Sequence, residues 1–159
     1  MGDVMRVALY QPDIAGNVGT IIRLAACFSV PLDIILPCGF PASDRQLRRA
    51  AMDYGVATPI ERHVNVESFL AAQADGDRRI VLLTSRGDTP LPRAAFSPLD
   101  TLLLGSESAG VPDELHARAD LRVRIPMASG CRSLNIAVAA GIALGEALRQ
   151  TGLFPRETP

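Results

Sequence analysis

Arg79-Ile80-Val81-Leu82-Leu83-Thr84 and, further on, Thr101-Leu102-Leu103-Leu104-Gly105 decide the fold. Both runs are too short for a helix and apolar at consecutive positions. That is the pattern of a strand covered on both faces rather than on one. Working outward, residues 4–10 (VMRVALY) and 121–125 (LRVRI) read as further strands, and residues 32–36 (LDIIL) as one stopped by Pro37. Between them the apolar period becomes helical. Residues 17–28 carry Ile21, Ile22, Leu24, Ala25 and Phe28 on one side. Residues 43–52 form a second helix with Ser43 or Asp44 as N-cap, residues 66–74 a third, and residues 133–150 a long last one. Strands alternating with helices predict an α/β fold, a mostly parallel sheet with helices on both faces.

At 159 residues the chain is one domain's worth, and its 48% hydrophobic content supplies a core, which excludes disorder. The net charge of -1 excludes a basic coat for nucleic acid, so any such site is a local patch. All 16 basic residues are Arg, which rules out chemistry that needs a Schiff-base or P-loop lysine. Cys27, Cys38 and Cys131 are far apart and lack CxxC spacing, so they read as small buried or idle thiols, not as a disulfide framework or zinc site. His63 and His116 are the only histidines and stand far apart, so no metal is expected. The start shows no signal peptide, and Arg6 stands where myristoylation wants Ser or Thr. No apolar run approaches the roughly 18 residues of a membrane span. A soluble protein of a reducing cytoplasm is the expectation, with residues 152–159 as a mobile tail.

The richest turn sequences, residues 11–19, 105–112 and 126–135, follow the carboxyl ends of strands, the edge where open parallel sheets bind ligands. In Gly105-Ser106-Glu107-Ser108-Ala109-Gly110-Val111-Pro112, Gly110 permits a positive φ and Pro112 suits the first turn of a helix. This is no P-loop, because Val111-Pro112 follow Gly110, and no nucleophile elbow, because GxSxG needs Gly where Ser106 stands. Glu107 beside two glycines favours a site over a plain turn. In the third loop, Ser133 or Asn135 caps the last helix, whose interior holds Gly141 and Gly145. Each interior glycine costs roughly 1 kcal/mol, so tight packing within the fold or across a dimer must offset it. In the first loop Asn17 is a candidate N-cap, and Gly16-x-x-Gly19 is a short match to an RNA-clamping loop. Arg23, in an apolar helical segment, is either exposed, ion-paired or a phosphate holder.

The order and combination of Asn17…Arg23, Gly105-Ser-Glu-Ser-Ala-Gly110 and Ile125-Pro…Arg132-Ser133-Leu134-Asn135 closely resemble the three motifs of the SPOUT methyltransferases. Within that superfamily the chain looks most like the small tRNA 2′-O-methyltransferases that modify cytidine or uridine at position 34. Residues 47–54 (LRRAAMDY) and 146–150 (EALRQ) strengthen the match, which runs from Arg6 to Phe154.

The resemblance implies one domain over residues 1–154 with a short tail, 155–159. It also implies a deep C-terminal trefoil knot, S-adenosyl-L-methionine as cofactor, a tRNA substrate and a homodimer, with no membrane and no metal. The cofactor pocket would be lined by Leu83, Thr84, Gly105, Ile125 and Ser133, with backbone contacts at Met127 and Leu134. Glu107 would accept a hydrogen bond from the cofactor or balance its sulfonium. Arg23 matches the arginine assigned near the transfer step; with a guanidinium pKa above ~12, it suits a donor that steadies the ribose oxygen. Ser133 and Asn135 would orient the hydroxyl or shape the loop, and the base is unassigned. Arg23, Arg48 and Arg132 would form the RNA patch. Two features depart from the family pattern: Ala109, where many relatives are bulkier or basic, and a first loop without prolines just before Asn17. The rivals are the same chemistry on another tRNA site or rRNA, a catalytically idle dimeric RNA-binding module, and a small serine hydrolase using Ser108 and His116.

Overall fold

The computed structural model describes residues 4–41, 43–54 and 57–158; the Met1–Gly2 start and the outer ends of the expected domain and tail lie outside them. Seven strands, β1 (Arg6–Tyr10), β2 (Leu32–Ile35), β3 (Ile60–His63), β4 (Ile80–Leu83), β5 (Thr89–Pro90), β6 (Thr101–Leu104) and β7 (Leu121–Arg124), form one sheet in the order β3-β2-β1-β6-β4-β7-β5. Every pairing is parallel, which bears out the expected α/β architecture. The helices are α1 (Ala15–Cys27), α2 (Arg45–Tyr54), α3 (Val66–Asp75), α4 (Asp113–Arg118) and α5 (Ile136–Thr151).

Two apolar clusters explain the leucine runs. Val7, Leu9, Ile34, Val81, Leu102 and Leu104 point to the face covered by α1 and α5, against Ile21, Ile22, Leu144 and Leu148. Ala8, Ile35, Leu82 and Leu103 point to the other, against Phe69 of α3 and Leu115 of α4. Alternate residues of one strand thus serve different clusters, and consecutive positions must all be apolar.

Two strands were not anticipated. β3 reads IERH, an edge strand whose middle residues are exposed; β5 is two residues long and contains Pro90. Neither is long or periodic enough to stand out. The helix expected at Pro112 is the six-residue α4. Pro112 is the N-cap of α4 rather than part of its first turn. α1 begins at Ala15, ahead of the expected Asn17, and Ile14 occupies the N-cap without a side-chain bond. Asp44 caps α2, its Oδ1 accepting from the amides of Gln46 (2.9 Å) and Leu47 (3.2 Å). Asn135, not Ser133, caps α5, accepting from Ala137 (2.8 Å) and Val138 (3.3 Å). The tail is partly held, since Phe154 packs edge-on against Phe28 with centroids 5.6 Å apart. The cysteines are free thiols, but Cys27 and Cys131 are exposed and Cys38 is half-buried, because they lie at a helix end and in loops rather than in the core.

One charged cluster sits beneath α3. Asp33, fully buried, accepts from Arg6 Nε (2.6 Å) and Nη2 (2.8 Å) and lies 2.8 Å from His63 Nε2. Glu61 approaches Arg6 from the rim at 3.2 Å. The Asp33, Glu61 and His63 ligand atoms lie within 4.8 Å of one another, a grouping that spacing along the chain does not reveal. Arg6 already supplies the positive charge these carboxylates need. Removing one member of such a buried set strands the rest. Asp33→Ala should therefore lower unfolding free energy by about 3–5 kcal/mol. Arg149→Ala, which breaks the exposed Glu146 pair, should leave it nearly unchanged. Urea denaturation of the two variants tests the contrast.

Candidate functional site

Because all strands run parallel, the loops after β1, β4, β6 and β7 leave the same edge of the sheet. From β3 at one edge the chain crosses to β4, and β6 then fills the place between β1 and β4. Loops distant in sequence therefore meet in one cavity of about 580 Å³, a size suited to a small organic ligand. Its apolar wall includes Leu83, Leu104, Val123, Ile125, Leu134 and Ile136; its polar groups include Thr84, Arg86, Glu107, Ser133 and Asn135.

The loop after β6 is a tight hairpin. Ser106 and Gly110 exchange backbone hydrogen bonds of 3.0 and 2.9 Å. The two glycines do different work. Gly110 has φ +65°, where an L side chain is strained, whereas a Cβ on Gly105 would lie 2.6 Å from the Gly110 backbone.

Five side chains lock the loops together. Glu107 accepts from the Asp13 amide (Oε2, 2.7 Å) and from Asn17 Nδ2 (Oε1, 3.2 Å). Asn17 Oδ1 accepts from Asn135 Nδ2 at 3.1 Å. Asp13 Oδ2 accepts from the Ser108 amide (3.0 Å) and hydroxyl (2.6 Å). The Ser108 hydroxyl bond, then its amide bond, hold the Asp13 carboxyl below its ordinary value. Asn17 is thus a bridge between loops and not a helix cap, because α1 starts before it. Asp13 was overlooked: an Asp before a helix reads as an ordinary turn residue.

Leu83, Thr84, Gly105, Glu107, Ile125, Met127, Ser133, Leu134 and Asn135 all line the cavity. Arg23 does not. It is exposed on α1 with its guanidinium 5.3 Å from the Tyr54 ring centroid, on the side facing α2. Arg48 is exposed on α2, and Arg132 is exposed in the loop before α5. Arg86 is a cavity residue that motif reading missed. Gly16 and Gly19 lie inside α1 under Gln46 and Ala50 of α2, so they are packing glycines and not an RNA-clamping loop. Ser108 gives its proton to Asp13 rather than to His116, which removes the support for a serine hydrolase.

The profile of the SpoU rRNA Methylase family matches residues 4–145. The chain belongs to this family. Among its relatives, the tRNA (cytidine(34)-2′-O)-methyltransferase of Beijerinckia indica subsp. indica is 53% identical over 150 residues, covering 94% of either chain. A solved structure described as "Structural insights into the 2-OH methylation of C/U34 on tRNA" superposes with a TM-score of 0.86 at 41% identity, over 94% of this chain and 97% of that one. The AdoMet-bound rRNA methyltransferase from Sinorhizobium meliloti superposes with a TM-score of 0.82 at 35% identity, over 92% of this chain and 56% of that one. The family resemblance read from the three loops is therefore borne out, and in this structure those loops are the ones gathered at the cavity.

Two outcomes follow from the loop geometry. Gly105→Ala should destabilise the fold by about 1–3 kcal/mol through overpacking against Gly110, read as a lowered thermal midpoint. For Asp13 the folded pKa is depressed, so its tie to Ser108 is present above the unfolded value and lost as pH falls through the folded one. The protection of the Ser108 amide, measured as its exchange rate relative to the intrinsic rate at each pH, should hold at neutral pH and be lost only in acid below the ordinary Asp value of 3.8.

Proposed function

We propose that the chain is an S-adenosyl-L-methionine-dependent methyltransferase acting on the ribose 2′-hydroxyl of the wobble nucleotide, cytidine or uridine 34, of tRNA. The observation that carries this reading is the convergence of the three motif loops on one cavity in a chain whose near-full-length relatives bear that name. The cavity suits the cofactor: flat apolar walls for adenine, and one cation and one anion for a zwitterionic sulfonium compound.

The bound cofactor supplies a methyl group that leaves its sulfonium, which becomes a thioether, for the 2′-oxygen, whose proton is lost. The chain's own residues prepare that exchange. Leu83, Ile125 and Leu134 would exclude water from the adenine side, with Thr84, Gly105 and Met127 presenting polar backbone. Glu107 holds the loops of β1 and β6 together and keeps a negative charge near the cofactor's positive end. Ser133 and Asn135 would orient the ribose hydroxyl, and most of the rate would come from that positioning. Arg23 would donate to the ribose oxygen or the adjacent phosphate and steady developing negative charge. It stands with Arg48 on the side of α2, whereas Arg132 lies by the cavity, so the RNA would run across both.

A homodimer is part of the proposal. Val138 and Ile142, 50% and 43% exposed, stand one turn apart on α5, and nothing lies within 4 Å of a Cβ built on Gly141 or Gly145. Contacts within the fold therefore do not offset the two glycines, and a second copy laid on this face would. We also assign the deep trefoil knot. The segment after β4 passes the far edge of the sheet as β5 and meets the end of α5, where Gln150 bonds Ala94 (2.9 Å) and Phe96 (3.0 Å). The chain from β7 to α5 would thread the loop so formed, within one domain of residues 1–154 and ahead of the 155–159 tail. A tRNA substrate calls for a cytoplasmic enzyme.

Incubation with labelled S-adenosylmethionine and total tRNA, followed by mapping of the modified nucleotide, tests the reaction. Label in the 2′-O-methyl of nucleotide 34 is expected; label at another tRNA site or only in rRNA would redirect the substrate, and none would point to an idle binding module. Arg23→Ala should abolish transfer while cofactor binding persists in calorimetry. Light scattering should give a dimer that Gly141→Leu weakens.

A further inference from the structure

Among the described residues lining the cavity, Arg86 and Glu107 are the charged ones. Both Glu107 oxygens already accept from the loop of Asp13 and Asn17. The negative charge of the cavity is thus committed to holding loops, and the positive charge is not.

Arg86 has a fixed base and a movable end. Its amide donates to Thr84 Oγ1 (3.2 Å), and the next amide, of Gly87, donates to the Thr84 carbonyl (3.0 Å). Gly87 is pressed onto β7 so closely that a Cβ there would lie 2.6 Å from the Val123 and Arg124 backbone. Arg124 Nη1 donates to the Gly87 carbonyl at 2.9 Å. The guanidinium, by contrast, holds among the described residues only to Asp113 on α4: both terminal nitrogens reach the same oxygen, Oδ1, at 3.1 and 3.2 Å. The two side chains are 60% and 91% exposed. A pair this wet contributes little and exchanges readily. It also leaves unused the two-oxygen fork by which guanidinium binds a carboxylate best.

We propose that Arg86 binds the α-carboxylate of the methionine part of the cofactor, exchanging Asp113 for it. The inference rests on the cofactor reading given above. A ligand carboxylate can offer the guanidinium the two-oxygen fork that Asp113 leaves unused, and Arg86 is the cation the wall provides. Arg86 is then a positioning residue. By holding the amino-acid end it sets where the sulfonium lies relative to Asn17 of α1 and Asn135 at the start of α5.

The test is a comparison of ligands by isothermal titration calorimetry without RNA. S-adenosylmethionine and decarboxylated S-adenosylmethionine, which lacks only the carboxylate, are titrated into wild type, Arg86→Ala and Arg86→Lys. The wild type should prefer the carboxylated ligand. Arg86→Ala should weaken S-adenosylmethionine by about tenfold, the scale of a charge-assisted hydrogen bond, and leave the decarboxylated ligand unchanged. Arg86→Lys should recover part of the preference. Equal losses for both ligands, or no loss for either, would overturn the assignment. A wild type that binds neither ligand would instead overturn the cofactor reading itself, and this assignment with it.

Discussion

The carboxylate of Glu107 is the interaction on which the working edge of this molecule depends. A parallel sheet delivers its loops to a common edge but does not join them. Loops fluctuate more than the strands that carry them, and a cavity made of them keeps its shape only if they are cross-linked. Glu107 takes the Asp13 amide in one oxygen and the Asn17 side chain in the other, and Asn17 passes the link to Asn135. Asn135 at the same time caps α5. One chain of hydrogen bonds thus runs from the loop of β6 through that of β1 into the start of the last helix. Charge-assisted bonds of this kind are the stronger ones, and they set the orientation of residues that the packing below cannot reach.

The sheet's interior was legible because burial on both faces leaves a strong mark: Leu102, Leu103 and Leu104 have no other reading. The helices were legible from their period, and the caps at Asp44 and Asn135 from their side-chain chemistry. β3 and β5 were not, since an edge strand needs neither alternation nor length. The site was legible as three turn-rich loops and as a resemblance, yet its wiring was not. Asn17 looked like a cap because the first apolar residue of the helical period lay beyond it, while the helix begins at Ala15 with no side-chain cap. Asp13, Arg86 and the Asp33 cluster draw their meaning from partners distant in sequence, and no local pattern announces such a partner.

The arginines illustrate how one residue type is divided among tasks. Arg6 and Arg79 are spent on buried carboxylates, Asp33 and Asp100, which raise both guanidinium pKa values. Arg122 and Arg124 hold backbone carbonyls around β7. What remains for a ligand or a nucleic acid includes Arg86 after β4 and the exposed set on α1, α2 and the 126–135 loop, a small number in a protein of net charge -1. Attraction of an anionic partner is therefore local and would weaken quickly with salt.

The two-residue strand β5 closes the sheet on one side with Pro90, which has no amide hydrogen to offer. On the other side the outermost strand, β3, carries Glu61 and Arg62 at its exposed positions. A sheet of seven parallel strands has two open borders, and each is a template on which a foreign strand could polymerise. Here one border is too short and lacks a donor, and the other is guarded by charge of both signs. The molecule can therefore keep a strongly apolar sheet without adding strands from its neighbours.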